Sequence, residues 1–171
     1  MRKAVEKLDE LEGEDIGTVL KAVGMALVSS VGGAAGPLYG TLFLQMATVS
    51  AGRDELDLAG WTGALEAGVK GVQSRGKAEP GDKTMVDALL PALAALRAAA
   101  DEGAGLADAL RRSADAAAEG MRATVPLEAR KGRASYLGPR SVGHQDPGAT
   151  SSHMLLEVAA TTFGGDDPGP D

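Results

Sequence analysis

Small side chains dominate this sequence and narrow what it can fold into. Ala and Gly supply 31 and 24 of its 171 residues, against two Phe, two Tyr and one Trp. Sheets draw on β-branched and aromatic side chains, and those are too scarce here to build one. Closely packed helices, with small residues at their contacts, are expected instead. Hydrophobic residues at 44% suffice for a core made of Leu, Val, Met and Ala. The length suggests one domain. With no Cys, disulfides and thiolate metal ligands are excluded. A net charge of −7 argues against general nucleic-acid binding. No apolar run reaches the roughly 18 residues that a membrane span needs. Residues 1–10 are charged throughout and do not read as a signal peptide. The expectation is a cytoplasmic helical domain with no membrane partner.

Apolar periodicity predicts about six helices. The first covers residues 15–30, where Ile16, Val19, Leu20, Val23 and Leu27 share a face. A Gly-rich break, Val31-Gly32-Gly33-Ala34-Ala35-Gly36-Pro37, leads into a second over residues 37–50, with Pro37 in its first turn. A third is expected over 58–73. The fourth, over 83–101, carries the stripe Met85, Leu89, Leu93 and Leu96; Asp82 is its expected cap, and Pro91 predicts a kink. A fifth over 106–123 and a last over 149–163 complete the set. Residues 1–163 are taken as one domain and 164–171 as a disordered tail. Between the last two helices, residues 124–148 mix Arg, Lys and His with glycines. Loops of that length are usually functional.

Three loops therefore stand out: 29–37, 74–84 and 126–148. The first precedes a helix, and its glycines suit either a tight turn or a phosphate cradle of backbone N–H groups. The second, Gly76-Lys77-Ala78-Glu79-Pro80-Gly81-Asp82-Lys83-Thr84, is a near miss for a P-loop. An Asp intrudes before Lys83-Thr84 and no strand precedes, so that reading is rejected. The third holds Arg130-Lys131-Gly132-Arg133, which suits phosphate or merely a solvated basic patch. It ends in His144-Gln145-Asp146-Pro147-Gly148, where a turn and ligand contact is favoured over acid–base chemistry. His153 and Trp61 read as packing residues.

Taken together, the segments SSVGGAAGPLYGT, SRGKAEPGDKTMVDAL and ARKGRASYLGPRSVGHQDPGATSS resemble the nucleotide-binding L subunit (DhaL) family of dihydroxyacetone kinases. The resemblance runs to about Phe163, and the motifs keep the family order. It implies an all-α fold, an antiparallel barrel or bundle of about eight helices gripping ADP or ATP at one end. It also implies roles by position. Ala34 and Ala35 would line the phosphates, and Gly76 and Met85 would contact the nucleoside. Arg133 and the turn Asp146, Pro147 and Gly148 would complete the pocket. Thr84 and Ser30 offer hydroxyls nearby. Ala35 stands where many members carry Ser, so a backbone contact would survive there and a hydroxyl contact would not.

The same resemblance implies partners. A K subunit would hold dihydroxyacetone covalently on its own His, and a carrier of the phosphotransferase-system type would recharge bound ADP. No residue of this chain is expected to be catalytic in its own right. The family's Mg²⁺-binding G-D-x-D-x-G loop would precede Met1, so no metal ligand is assigned, and the first family helix is expected to be missing. The activity of the chain as it stands is then in question. Either the start lies within a longer natural protein, or the chain is a truncated, non-catalytic paralogue serving as a regulatory or interaction module.

Overall fold

The structure is a computed structural model, and it describes residues 11–165. Of the expected tail at 164–171, residues 166–171 lie outside the described residues, as does the charged segment at 1–10. Within the described residues there are six α-helices, one 3-10 segment and no strand. The chain divides into two compact units, Met1–Lys77 and Ala78–Asp171.

The first unit holds α1 (Ile16–Ser30), α2 (Ala35–Val49) and α3 (Leu58–Gly76). Asp15 starts α1: its side chain accepts from the Thr18 N–H at 3.2 Å and the Thr18 hydroxyl at 2.7 Å. Asp57 does the same for α3, accepting from the Gly60 N–H at 2.7 Å. These are N-caps of the usual kind, satisfying amides that have no partner inside the helix. Successive helices run antiparallel. Gly24 of α1 meets Leu44 and Gly40 of α2, and Gly68 of α3 meets Leu42 and Met46 while Gly76 meets Leu38. Glycine at these contacts lets one backbone approach the next, which is what the Gly-rich composition permits. Leu27, Leu42, Met46, Leu65, Val69 and Val72 are buried.

The second unit holds α4 (Val86–Asp101), α5 (Leu106–Ala123), a 3-10 segment η1 (Arg133–Ser141) and α6 (Pro147–Phe163). It is again antiparallel. The Ser113 hydroxyl on α5 donates to the Ala92 carbonyl on α4 at 3.1 Å, and Arg111 on α5 pairs with Glu157 on α6 at 3.1 Å. Alanines share the buried faces with leucines: Ala88, Ala92 and Ala99 beside Leu89, Leu93 and Leu96 on α4, and Ala109, Ala114 and Ala117 beside Leu110 on α5.

Helix α4 stays continuous through Pro91. Proline has no N–H to give the carbonyl four residues back, so the Asp87 carbonyl loses its helical donor. Gly120 of α5 lies against that carbonyl so closely that a Cβ there would overlap it. The proline and the glycine thus serve one close helix contact.

Several boundaries differ from the sequence expectation. Helix α2 begins at Ala35, so Pro37 occupies its third position. Helix α3 runs on to Gly76, and α6 begins at Pro147 with Asp146 as cap. Helix α4 starts three residues late, at Val86, and Asp82 is not its cap. The Asp82 carboxylate instead accepts from the Glu79 N–H at 2.9 Å within its own turn. The start of α4 is fastened by Thr84, whose hydroxyl accepts from Val86 N–H, and by Asp87, which accepts from the Thr84 N–H at 2.8 Å.

Candidate functional site

In the first unit the Gly-rich segment forms a tight turn from α1 into α2. The hydroxyls of Ser29 and Ser30 both donate back to the Ala26 carbonyl, at 3.1 and 2.5 Å. Ser30 is therefore committed to its own helix. Gly33 adopts a left-handed backbone (φ +71°), and Gly36 lies against the Val31 carbonyl oxygen, where any Cβ would overlap it. The turn is shaped by that approach. Ala34 caps α2 without a side-chain bond, and its carbonyl receives the Leu38 N–H at 3.1 Å. Ala34 and Ala35 are exposed. The start of α2 is thus at the surface, and a helix start favours an anion. Gly76, at the last turn of α3, touches the Leu38 side chain at 3.2 Å when given a Cβ. The structure therefore brings Ala34, Ala35 and Gly76 to the same end of the α2–α3 pair.

A surface depression in this unit lies elsewhere. It holds about 280 Å³ and is lined by Val49, Arg53, Asp57, Ala59, Gly60, Gly63 and Ala64. At 1.5 Å per residue, Ala35 and Val49 are about 21 Å apart along α2. None of the sequence-predicted residues lines it.

In the second unit, burial and charge organise the loops. Met85 is 4% exposed and precedes the first turn of α4. Asp146 is 8% exposed; its carboxylate accepts from the Ala149 N–H at 2.7 Å, and its own N–H donates to the buried Thr124 hydroxyl at 3.0 Å. Burial pushes the Asp146 carboxyl above its ordinary value, against the downward pull of the Ala149 N–H and that of Gly148. Asp87 raises it further and Lys83 lowers it. Pro147 sits in the first turn of α6. A side chain at Gly148 would press on the Met85 nitrogen at 3.2 Å and its Cβ at 3.4 Å. Met85 and the Asp146, Pro147, Gly148 turn are thus neighbours.

Arg133 opens η1 and is exposed. No hydrogen bond or ion pair among the described residues joins it to Met85 or Asp146. Its loop is instead moored at the ends. The Arg130 N–H donates to the Asp82 carbonyl at 3.0 Å, and the Ala129 N–H to the Ser141 hydroxyl at 2.9 Å. Lys83, which no sequence motif singled out once the P-loop reading was rejected, is 2% exposed inside this arrangement. Thr84 spends its hydroxyl on the start of α4. Among the described residues no group of three or more His, Asp or Glu is gathered that could hold a metal ion. No helix described is long and apolar enough to cross a membrane.

Residues 1–161 match the DAK2 domain. Over 158 residues the chain is 47% identical to the ADP-binding subunit DhaL of the PEP-dependent dihydroxyacetone kinase of Escherichia coli K12, covering 92% of this chain and 75% of that one. It is 44% identical over 159 residues to the ADP-binding subunit DhaL of PEP-dependent dihydroxyacetone kinase 2 of Listeria innocua, covering 92% and 73%. Among solved structures, the dihydroxyacetone kinase of C. freundii in its native form aligns with a TM-score of 0.64 at 24% identity. That alignment covers 93% of this chain but 27% of the other, and it speaks for the fold alone.

Proposed function

This chain belongs to the DAK2 domain family, and from that premise we propose that it is the ADP/ATP-binding subunit of a dihydroxyacetone kinase. When bound, the nucleotide supplies a γ-phosphoryl group. With dihydroxyacetone as acceptor, that group would give dihydroxyacetone phosphate and ADP, the proton of the acceptor hydroxyl passing to solvent. The acceptor is held by a partner K subunit, and a phosphoryl carrier of the phosphotransferase-system type recharges the ADP. The setting is cytoplasmic.

The observation that carries this reading is the exposed start of α2. It is presented by a turn that Gly36 keeps tight, with Gly76 held alongside. In the first unit we assign the amides of Ala34 and Ala35 to phosphate oxygens and Gly76 to the nucleoside. In the second we assign Met85 to the base, Arg133 to phosphate charge, and the Asp146, Pro147, Gly148 turn to the nucleotide's remaining edge. Transfer of this kind rests on positioning and charge neutralisation rather than on covalent chemistry by the protein. Mg²⁺ is the ion that the resemblance implies. The described residues do not gather a ligand set for it, so no residue is assigned to it and no step is derived through it.

Calorimetric titration with ADP tests the reading. Saturable binding is expected, with a raised melting temperature by mass action. Arg133→Ala is expected to raise Kd roughly tenfold, as the loss of one charge-assisted phosphate contact would. A chain that shows no heat and no thermal shift at millimolar ADP would not be a nucleotide subunit as it stands.

A further inference from the structure

Lys83 carries a buried charge that the functional reading leaves unused. It is 2% exposed, and its backbone is left-handed (φ +62°), a conformation uncommon for a residue with a long side chain. Residues are held there only where their surroundings over-determine them. What surrounds this one is specific. The ammonium donates to the Leu127 carbonyl at 2.9 Å and to the Ser141 carbonyl at 2.5 Å. Those two carbonyls stand at the two ends of the segment that carries Arg130, Lys131 and Arg133. The chain leaves one at 127, travels through η1, and returns to the other at 141.

A buried ammonium is tolerated only when paired or fully hydrogen-bonded. Here the acceptors are backbone oxygens of the loop itself, so loop closure and satisfaction of the charge are one event. Two further bonds share the work: Ala129 N–H to the Ser141 hydroxyl, and Arg130 N–H to the carbonyl of Asp82, the residue beside Lys83. The nearby titratable groups are Asp146 and Asp87, whose carboxylates are occupied by backbone amides: Ala149 for the first, Gly81 and Thr84 for the second. Neither replaces the carbonyls as the hydrogen-bonded partner of Lys83.

We propose that Lys83 is a buried latch: a positioning residue that closes the 127–141 loop and thereby sets Arg133 for the phosphate. The closing of the loop stands on the geometry; its effect on nucleotide rests on the functional reading above. A latch acting through Arg133 has a consequence that a general packing role lacks. Once Arg133 is gone, losing the latch should cost no further nucleotide affinity.

The test uses the full chain and two readouts. Trypsin cleavage after Arg130, Lys131 and Arg133 reports opening of the loop; ADP titration reports Kd. Lys83→Met keeps the bulk and removes the charge. It is expected to speed cleavage at these sites and to raise Kd by up to about tenfold, the ceiling set by losing the Arg133 phosphate contact through which the latch acts. Added to Arg133→Ala, it should raise Kd no further. Because the chain has no cysteine, Lys83→Cys can be alkylated with 2-bromoethylamine while unfolded and refolded; the restored ammonium is expected to recover slow cleavage and native Kd. Should Lys83→Met not fold, Ser141→Ala carries the same two readouts in the same direction, more weakly. Unchanged cleavage overturns the latch. So does an additive loss of affinity in the Arg133→Ala background. If the loop opens in Lys83→Met but the unmodified chain binds no ADP, the latch stands and the nucleotide assignment falls.

Discussion

The two units hold their loops by different physics. In the first, the turn before α2 is shaped by steric fit: Gly36 lies on the Val31 carbonyl, and the serine hydroxyls fold back onto Ala26. That turn carries no charged side chain. In the second, the loops are organised by charge taken out of water. Asp82, Lys83 and Asp146 are all buried, and each is satisfied mainly by backbone groups. A sterically set turn can afford an exposed helix start, because no buried charge depends on it. A loop set by buried charge couples its shape to the protonation and identity of single residues.

Substitutions that fill a close approach should have the largest effects, and in both units alike. Gly36→Ala and Gly120→Ala each place a Cβ against a backbone carbonyl that cannot rotate away. Each is expected to destabilise by roughly 1–3 kcal/mol in urea unfolding, as overpacking does. Gly36→Ala should also weaken ADP binding. Losses below about 0.5 kcal/mol at both sites, the scale of a neutral surface change, would remove steric fit from the comparison. Gly63→Ala is the control with opposite sign. It lies exposed inside α3 with nothing within 4 Å of a Cβ. A gain of about 0.5–1 kcal/mol is expected from helix propensity alone.

The smallest effect is in pH, and it separates the units by sign. Asp15 in the first unit is held below its ordinary value, first by the Thr18 hydroxyl and then by the Gly52 N–H. Its folded form binds protons less readily than the unfolded chain. The stability it contributes is present above the unfolded value and is lost as pH falls through the folded one. Asp146 in the second unit is held above its ordinary value, mainly by burial. Its folded form binds protons more readily, so its contribution declines as pH rises from the unfolded value through the folded one. Carbon-detected NMR titration of the two carboxyls should find them on opposite sides of an unstructured aspartate. Asp146→Asn, which keeps a capping oxygen, should remove only the second of these slopes. Titration of both carboxyls on the same side would break the contrast.

Much of the fold was legible in the sequence, for identifiable reasons. The helix that begins near residue 15 was legible because Ile16, Val19, Leu20, Val23 and Leu27 recur at helical spacing. The 106–123 helix was legible to the residue, since its alanines and Leu110 keep a clean stripe between Gly105 and Thr124. The start of α4 moved because its capping comes from inside the helix. Asp82 looked like the cap of α4 because it precedes the stripe, yet Asp87 reaches back and Lys83 turns left-handed. For the site, the family resemblance pointed to the loops, and the local motifs alone left both turn and ligand readings open. Burial in those loops was not legible at all. Periodicity reports which face of a helix is covered, and a loop has no period, so nothing in the sequence marked Lys83 as buried.

Asp87 has one more consequence. Its carboxylate takes the amides of Gly81 and Thr84, while its carbonyl, left without a helical donor by Pro91, is where Gly120 of α5 packs. The loop, the first turn of α4 and the seat of α5 therefore open and close together. In hydrogen exchange the Gly81 and Thr84 amides should belong to the same cooperative unit as the helix pair, so that this loop, though it lies outside any helix, melts only when the helices beneath it do.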